Sequence, residues 1–440
     1  MEYSLEGRPT ANICLKQVRI INPAQQQDEI SDLYIQHGEV AGLGKAPENF
    51  QGEEISCTGF WLLPGAVDLS ARLCEPGFEH KGTIHSETKA AAAGGITHLC
   101  CPPDTHPVID TPAVANLVKE KSYQSGYAHV LPLGAMTSGL QGDFLSEMHA
   151  LQEAGCIGVT QLRYPIKNTK VLMRCLEYAA TFNITVFFNS QDSALAAGGV
   201  AHGGVHATRL GLPGIPATAE TVALSRDLLL VEQTGVRAHF GQLSCARSVE
   251  IIAAAQRRGL PVTADVTAHQ LCFTEECVDG FNSIHHVIPP YRTTADQQAL
   301  LDGLNSGVIG MICSDHQPHE AAAKAAPFAV TEPGISALET LLPASYQWVK
   351  SQKIDTNRWV NALSSNAAQL LAIDAGQISH GEPANLVLFN PNGETEISND
   401  TLLSEGKNNP WKGQRLPGKV LLTLCDGHIT YAGGIHEARQ

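Results

Sequence analysis

None of the twelve cysteines of this chain forms a Cys-x-x-Cys pair, which removes the usual paired-thiolate metal and redox motifs. They are scattered and often lie beside apolar residues, as in Cys100-Cys101 and Cys156-Ile157. That is the usage of small buried thiols in a reducing cytoplasm. No basic block offsets the formal net charge of -15, so a general nucleic-acid or anionic-membrane surface is not expected. No run reaches the ~18 apolar residues of a spanning helix. The first ten residues, MEYSLEGRPT, have neither a cationic start nor an apolar core and do not read as a secretory signal. What is present is ordinary globular composition, 43% hydrophobic and 17% charged, over 440 residues. That length accommodates a barrel of roughly 250 residues and a smaller second unit.

The order of apolar runs divides the chain in three. Residues 11–62 alternate short runs with turns such as Asn22-Pro23 and His37-Gly38, a pattern of small antiparallel strands. From Pro64 strand-like runs alternate with helical segments. Helices are expected at 83–94, 111–122, 144–154, 170–182, 217–234, 248–258, 297–306, 338–348 and 357–363. Strands are expected at 97–101, 129–134, 156–160, 184–189, 236–243, 262–267 and 308–314. Thr83 is a natural N-cap for the first helix, and Gly94-Gly95 stops it. Strict βα alternation favours a closed parallel TIM-like (β/α)8 barrel. The rival, a doubly wound sheet, lacks a G-x-G-x-x-G after its first strand. Residues 321–326 are either a mobile loop or a short helix. Short strands return at 376–378, 384–389, 420–425 and 428–431, with Asp426-Gly427 as a hairpin turn. The α/β fold expected is therefore a barrel over 64–375, with 1–63 and 376–440 joining in one small β-sandwich.

Barrel chemistry sits at the C-terminal ends of the strands. The first such end is PGAVDLSARLCEPG, residues 64–77. If extended geometry persists, Ser70, Arg72 and Cys74 share a face. In many barrel metal hydrolases that spacing carries His-x-His; here it holds a serine and a permanent cation without a lone pair. The later ends supply Asp104 and His106, then Gln161 and Arg163, then Asn189, then Gln242, and finally Asp315, His316 and His319.

The segments PGAVD (64–68), EPG (75–77), EHKGTI (79–84), AAAAGGIT (90–97) and PVIDTP (107–112) resemble the amidohydrolase superfamily, and dihydroorotase in particular. GGVHATRLGLPGIPATAE (203–220), GLPVTADVTAHQL (259–271), IPPYR (288–292), SDHQPH (314–319) and ANLVLFNP (384–391) extend the resemblance over nearly the whole chain. It implies a metal-hydrolase barrel with a β-sandwich from both termini. The departures fall on the functional positions. Ser70 and Arg72 occupy the places of two histidine ligands, and Cys74 that of a substrate arginine. Gln161 replaces the bridging carboxylate, Asn189 and Gln242 replace two further histidines, and Asp104 stands for a substrate-binding asparagine. Asp315, the last catalytic acid, is kept as a vestige, and so is Arg292.

Ring opening of a cyclic amide needs a metal to lower the pKa of bound water from 15.7 toward ~7. Neutral amides are weak ligands for zinc, so neither metal nor other cofactor is expected at the mouth. Arg72 is expected to replace the cation's charge by pairing with Asp315. His316 and His319 either bind metal with Asp315 or are inherited loop residues, and Cys74 is either a thiolate ligand or an ordinary thiol. Asp104 with His106 forms an acid–base pair or caps a turn. His202, His206, His285 and His286 are expected on loop surfaces. Arg72, Arg163 and Arg292 together give the pocket a cationic lining.

The resemblance extends to inert members that assemble with the catalytic chain of aspartate carbamoyltransferase in bacterial pyrimidine synthesis. A cytoplasmic non-catalytic subunit, homo-oligomeric within such a complex, is the expected function. The alternatives are an amidohydrolase with a rebuilt, metal-poor site acting on a cyclic amide, and a cytoskeletal or signalling scaffold.

Overall fold

The computed structural model describes residue 10 and residues 12–434; most of the segment read against a secretory signal lies outside them. Strands β1 (Ile13–Asn22), β2 (Gln27–Gln36), β3 (Glu39–Leu43), β4 (Glu53–Ser56) and β5 (Trp61–Pro64) open the chain. The barrel strands follow as β6 (Ala66–Asp68), β7 (Ile96–Cys101), β8 (His129–Ala135), β9 (Gly158–Thr160) and β10 (Val186–Phe188). A two-stranded excursion, β11 (Ala201–His202) and β12 (Gly214–Ile215), precedes β13 (Ala238–Phe240), β14 (Val262–Thr267) and β15 (Met311–Cys313). The C-terminal strands are β16 (Leu386–Glu396), β17 (Arg415–Cys425) and β18 (His428–Tyr431).

Strands β6 to β10 and β13 to β15 pair in parallel, each with its neighbour in the chain. The seam between β15 and β6 closes just beyond both strands. There Ala71 bridges His316, Arg72 N donates to His316 O over 2.9 Å, and His316 N donates to Ser70 O over 3.2 Å. Helices such as Ile84–Ala93, Pro112–Ser125, Thr169–Thr181, Ala217–Thr234, Ala246–Arg257 and Thr294–Ser306 surround the strands. The first has its expected cap: Ser86 N donates to Thr83 Oγ1 over 3.0 Å, and the Ser86 side chain answers the Thr83 N–H. It ends where a Cβ on Gly94 would stand 2.3 Å from Leu338 O, a contact only glycine avoids. Among the described residues, no helix is long and apolar enough to cross a membrane.

Both termini build a separate eight-stranded sheet with its own core of Leu15, Ile20, Leu33, Leu62, Leu388 and Leu422. It is mixed rather than antiparallel in its N-terminal part, because β1 pairs in parallel with β4 and β5. Two further expectations change for one physical reason, the diversion of backbone groups to other partners. The stretch 376–378 is no strand: Ile378 N and O are taken by the Asn22 side chain. The helix expected from 144 starts at Met148, since Phe144 O and Ser146 N pair with Ser138 and Met136. Residues 321–326 hold a short helix, Ala321–Lys324. The helix Ser365–Leu371 has no counterpart in the sequence reading.

Candidate functional site

Strand ends bring Ser70, Gln242 and Asp315 together at the barrel mouth. Gln242 Nε2 donates to Asp315 Oδ1 over 2.7 Å and to Ser70 Oγ over 3.1 Å, and Ser70 Oγ donates to the same Asp315 oxygen over 3.3 Å. Arg163 Nη2 donates to Gln242 Oε1 over 2.5 Å. Arg72 Nη1 lies 3.5 Å from Asp315 Oδ1, and its Nε lies 2.8 Å from Asp104 Oδ2. Gln317 Nε2 reaches Asp315 Oδ2 at 3.2 Å. Asp315 is thus met on both oxygens by hydrogen-bond donors, one of them permanently cationic.

These contacts set the electrostatics. Burial pushes the Asp315 carboxyl above the usual range, while Arg72 and Arg163 pull it back. Burial also works against the Arg72 charge, but Asp104 and Asp315 more than offset it and hold the guanidinium protonated. Arg163 is lowered by burial, with Asp315 opposing and Arg72 adding to the shift. Under the site, the Ser314 amide and hydroxyl both donate to Asp68, whose carboxyl burial raises to about 6.

The other expected positions are placed differently. Gln161 accepts from Thr137 Oγ1 and donates to Leu140 O, both at 2.9 Å, so its amide is committed to the loop after β8. Asn189 lines the mouth beside Gln242 and Asp265. Arg292 is buried and donates to Ser244 Oγ, Ile215 O and His202 Nδ1, while also lining a small cavity with Arg163 and Gln242. Asp104 serves Arg72 rather than forming a pair with His106.

The metal-ligand alternatives for Cys74, His316 and His319 fall away, and the surface reading of His286 is corrected. Cys74 leaves the extended run at φ 62°, and burial raises its thiol to about 12, which disfavours a thiolate. His316 is fully buried and faces away from Asp315: its Nε2 lies 2.9 Å from Glu87 and its Nδ1 accepts from Ala337 N. His319 is also buried and donates from Nε2 to Pro333 O. His286, expected on a surface, is buried against Phe328 and bonded to Thr331.

The sequence reading missed Asp265. It sits on β14, 2.9 Å from His239 Nε2, and accepts from Gln242 N at 2.6 Å, which fixes the backbone that presents the Gln242 side chain. Its signal is a lone acid inside the apolar run VTADVT. Gln317, next to two flagged residues, was also missed.

The resemblance implies a divalent metal here, and the side chains do not fit one. A hydroxyl, three amides and a guanidinium stand where anionic or imidazole ligands would, and a permanent cation and three hydrogen-bond donors already face Asp315. Room for a substrate between these side chains is small. The cavity lined by Ser70, Asn189, Gln242 and Asp265 has about 20 Å³, and that lined by Arg163, Gln242 and Arg292 about 10 Å³. Each is about the size of one water. A larger cavity of about 250 Å³ lies to the side, against Gln161, Arg163, Tyr164, Asn189 and Asp227.

Comparison with known proteins agrees with this architecture. Residues 59–248 match the dihydro-orotase-like family, and residues 206–430 match the amidohydrolase family. A "dihydroorotase-like protein" of Pseudomonas aeruginosa is 50% identical over 96% of this chain and 100% of its own length. One from Pseudomonas putida is 49% identical over 94% of this chain and 97% of its own. A "dihydroorotase" of Syntrophotalea carbinolica is 36% identical over 94% and 97%. Among solved structures, L-hydantoinase (dihydropyrimidinase) from Arthrobacter aurescens superposes with a TM-score of 0.87, covering 96% of this chain and 97% of that one, at 22% identity.

Proposed function

This chain belongs to the dihydroorotase-like family of amidohydrolases, and from that premise we propose that it is a non-catalytic member. In this reading it assembles with the catalytic chain of aspartate carbamoyltransferase in pyrimidine biosynthesis and is kept for its surface. One observation carries the loss of catalysis: Arg72 and Gln242 both face Asp315 Oδ1, at 3.5 and 2.7 Å. A carboxylate so held is neither a free metal ligand nor a free base. Support for the partner is the resemblance to inert family members that keep the fold while losing the site.

The test is co-expression with a candidate aspartate carbamoyltransferase chain, followed by sizing and assay of both activities. Co-elution in one large complex, with carbamoyl transfer and no ring opening of dihydroorotate, supports the reading. Separate elution removes the partner, and ring opening removes the non-catalytic role. An amidohydrolase acting on a cyclic amide through a rebuilt, metal-poor site is the second reading. The cavity of about 250 Å³ beside Gln161 and Asn189 favours it, being large enough for a small ring.

A further inference from the structure

Among the described residues, one set of three metal-ligating side chains converges, and it lies far from the mouth. The ligand atoms of His129, Cys425 and Asp426 are all within 4.8 Å of one another. His129 opens β8, so it stands at the end of the barrel opposite the strand ends that carry Gln242 and Asp315. Cys425 ends β17, and Asp426 begins the turn that leads into β18. The three residues therefore join the barrel to the terminal sheet across nearly 300 residues of chain.

The cluster is built rather than incidental. His129 Nε2 and Asp426 Oδ2 are 2.7 Å apart. Asn385 Nδ2 donates to the other Asp426 oxygen over 3.1 Å, and Asp426 N returns a bond to Asn385 Oδ1 over 2.8 Å. The ring of His98 stacks on that of His129 with centroids 4.7 Å apart. Such outer contacts orient metal ligands. Cys425 is fully buried, whereas the His129 and Asp426 side chains are 36% and 37% exposed, which leaves an approach from solvent.

We propose that His129, Cys425 and Asp426 hold a zinc-class divalent ion, with water as fourth ligand, and that this ion pins the terminal sheet to the barrel. Imidazole, thiolate and carboxylate are the three ligand types zinc takes, and bond lengths of ~2.0–2.3 Å need ligand atoms only ~3.4–3.7 Å apart. Side-chain shifts of about 1 Å reach that geometry from the present one. Binding displaces the Cys425 thiol proton and the proton shared by His129 and Asp426, both passing to solvent, so affinity falls as pH falls. The site lies at the opposite end of the barrel from the mouth, and the proposal does not rest on the proposed function.

The test uses the full chain, stripped of metal with a chelator, with Co²⁺ as the probe. The expected result is one Co²⁺ per chain with a thiolate-to-cobalt charge-transfer band that Zn²⁺ displaces. The band is lost in Cys425→Ser and in His129→Gln, and it is kept in Asp315→Asn. Zinc raises the unfolding temperature of the wild type and leaves that of His129→Gln unchanged. His129→Gln, at the exposed edge, carries the test if Cys425→Ser does not fold. Absence of the band, or a band that survives both substitutions, overturns the proposal and leaves a hydrogen-bonded His–Asp pair beside a buried thiol.

Discussion

Gln242 donates its amide proton to Asp315 Oδ1 over 2.7 Å, which fills the lone pair that a catalytic metal or a proton in transit would use. Arg163 holds the carbonyl end of the same amide, and Asp265 holds the backbone N–H of Gln242. The orientation of Gln242 is therefore fixed from three sides, and the mouth reads as a closed polar network.

Arg72 is the keystone of that network, because it faces both Asp104 and Asp315. Arg72→Met leaves two largely buried carboxylates without their cation and is expected to lower stability by about 3 kcal/mol. Asp315→Asn is expected to lower it by about 1 kcal/mol, since Arg72 keeps Asp104 and the new amide still accepts a hydrogen bond. Urea unfolding of both variants measures the order, and a reversed order would contradict the account of the site.

The Thr83 cap orients the first barrel helix, whose Glu87 meets His316 at the closing seam. Thr83→Ala is expected to lose about 1 kcal/mol, and Thr83→Ser to keep most of it. Thermal or urea unfolding decides, and equal losses in both variants would argue against the capping role.

Lys324 is buried, and its ammonium donates to the His286 and Glu332 carbonyls. Burial lowers its pKa from 10.5 to about 7. Between those values the unfolded chain holds a proton that the folded chain has released, so stability rises with pH across that window. The rise is at most about 1.4 kcal/mol per pH unit, and its contribution disappears as pH falls through the folded value. Urea midpoints from pH 7 to 10 should climb in the wild type and climb less in Lys324→Met. Parallel curves would show that Lys324 stays charged.

Much of this was legible in the sequence. The bounds of Ala217–Thr234, Val262–Thr267 and His428–Tyr431 coincide with the expected elements, because alternating polarity and terminal punctuation mark them clearly. Errors arose where side chains or loops took the backbone hydrogen bonds, as Asn22 does for Ile378. At the mouth, strand-end logic marked out Ser70, Arg72, Gln242 and Asp315, which the fold does bring together. It could not show that Gln161 turns to Thr137, that Asp104 claims Arg72, or that His316 faces Glu87. Those choices depend on neighbours distant in sequence, and no local pattern encodes them.

The most direct test of the central claim is the steady-state ring-opening rate of dihydroorotate with the purified full chain, with and without added Zn²⁺, beside Asp315→Asn. The account predicts no rate above buffer and no difference between the two proteins. A zinc-dependent rate that a chelator or Asp315→Asn abolishes would contradict it.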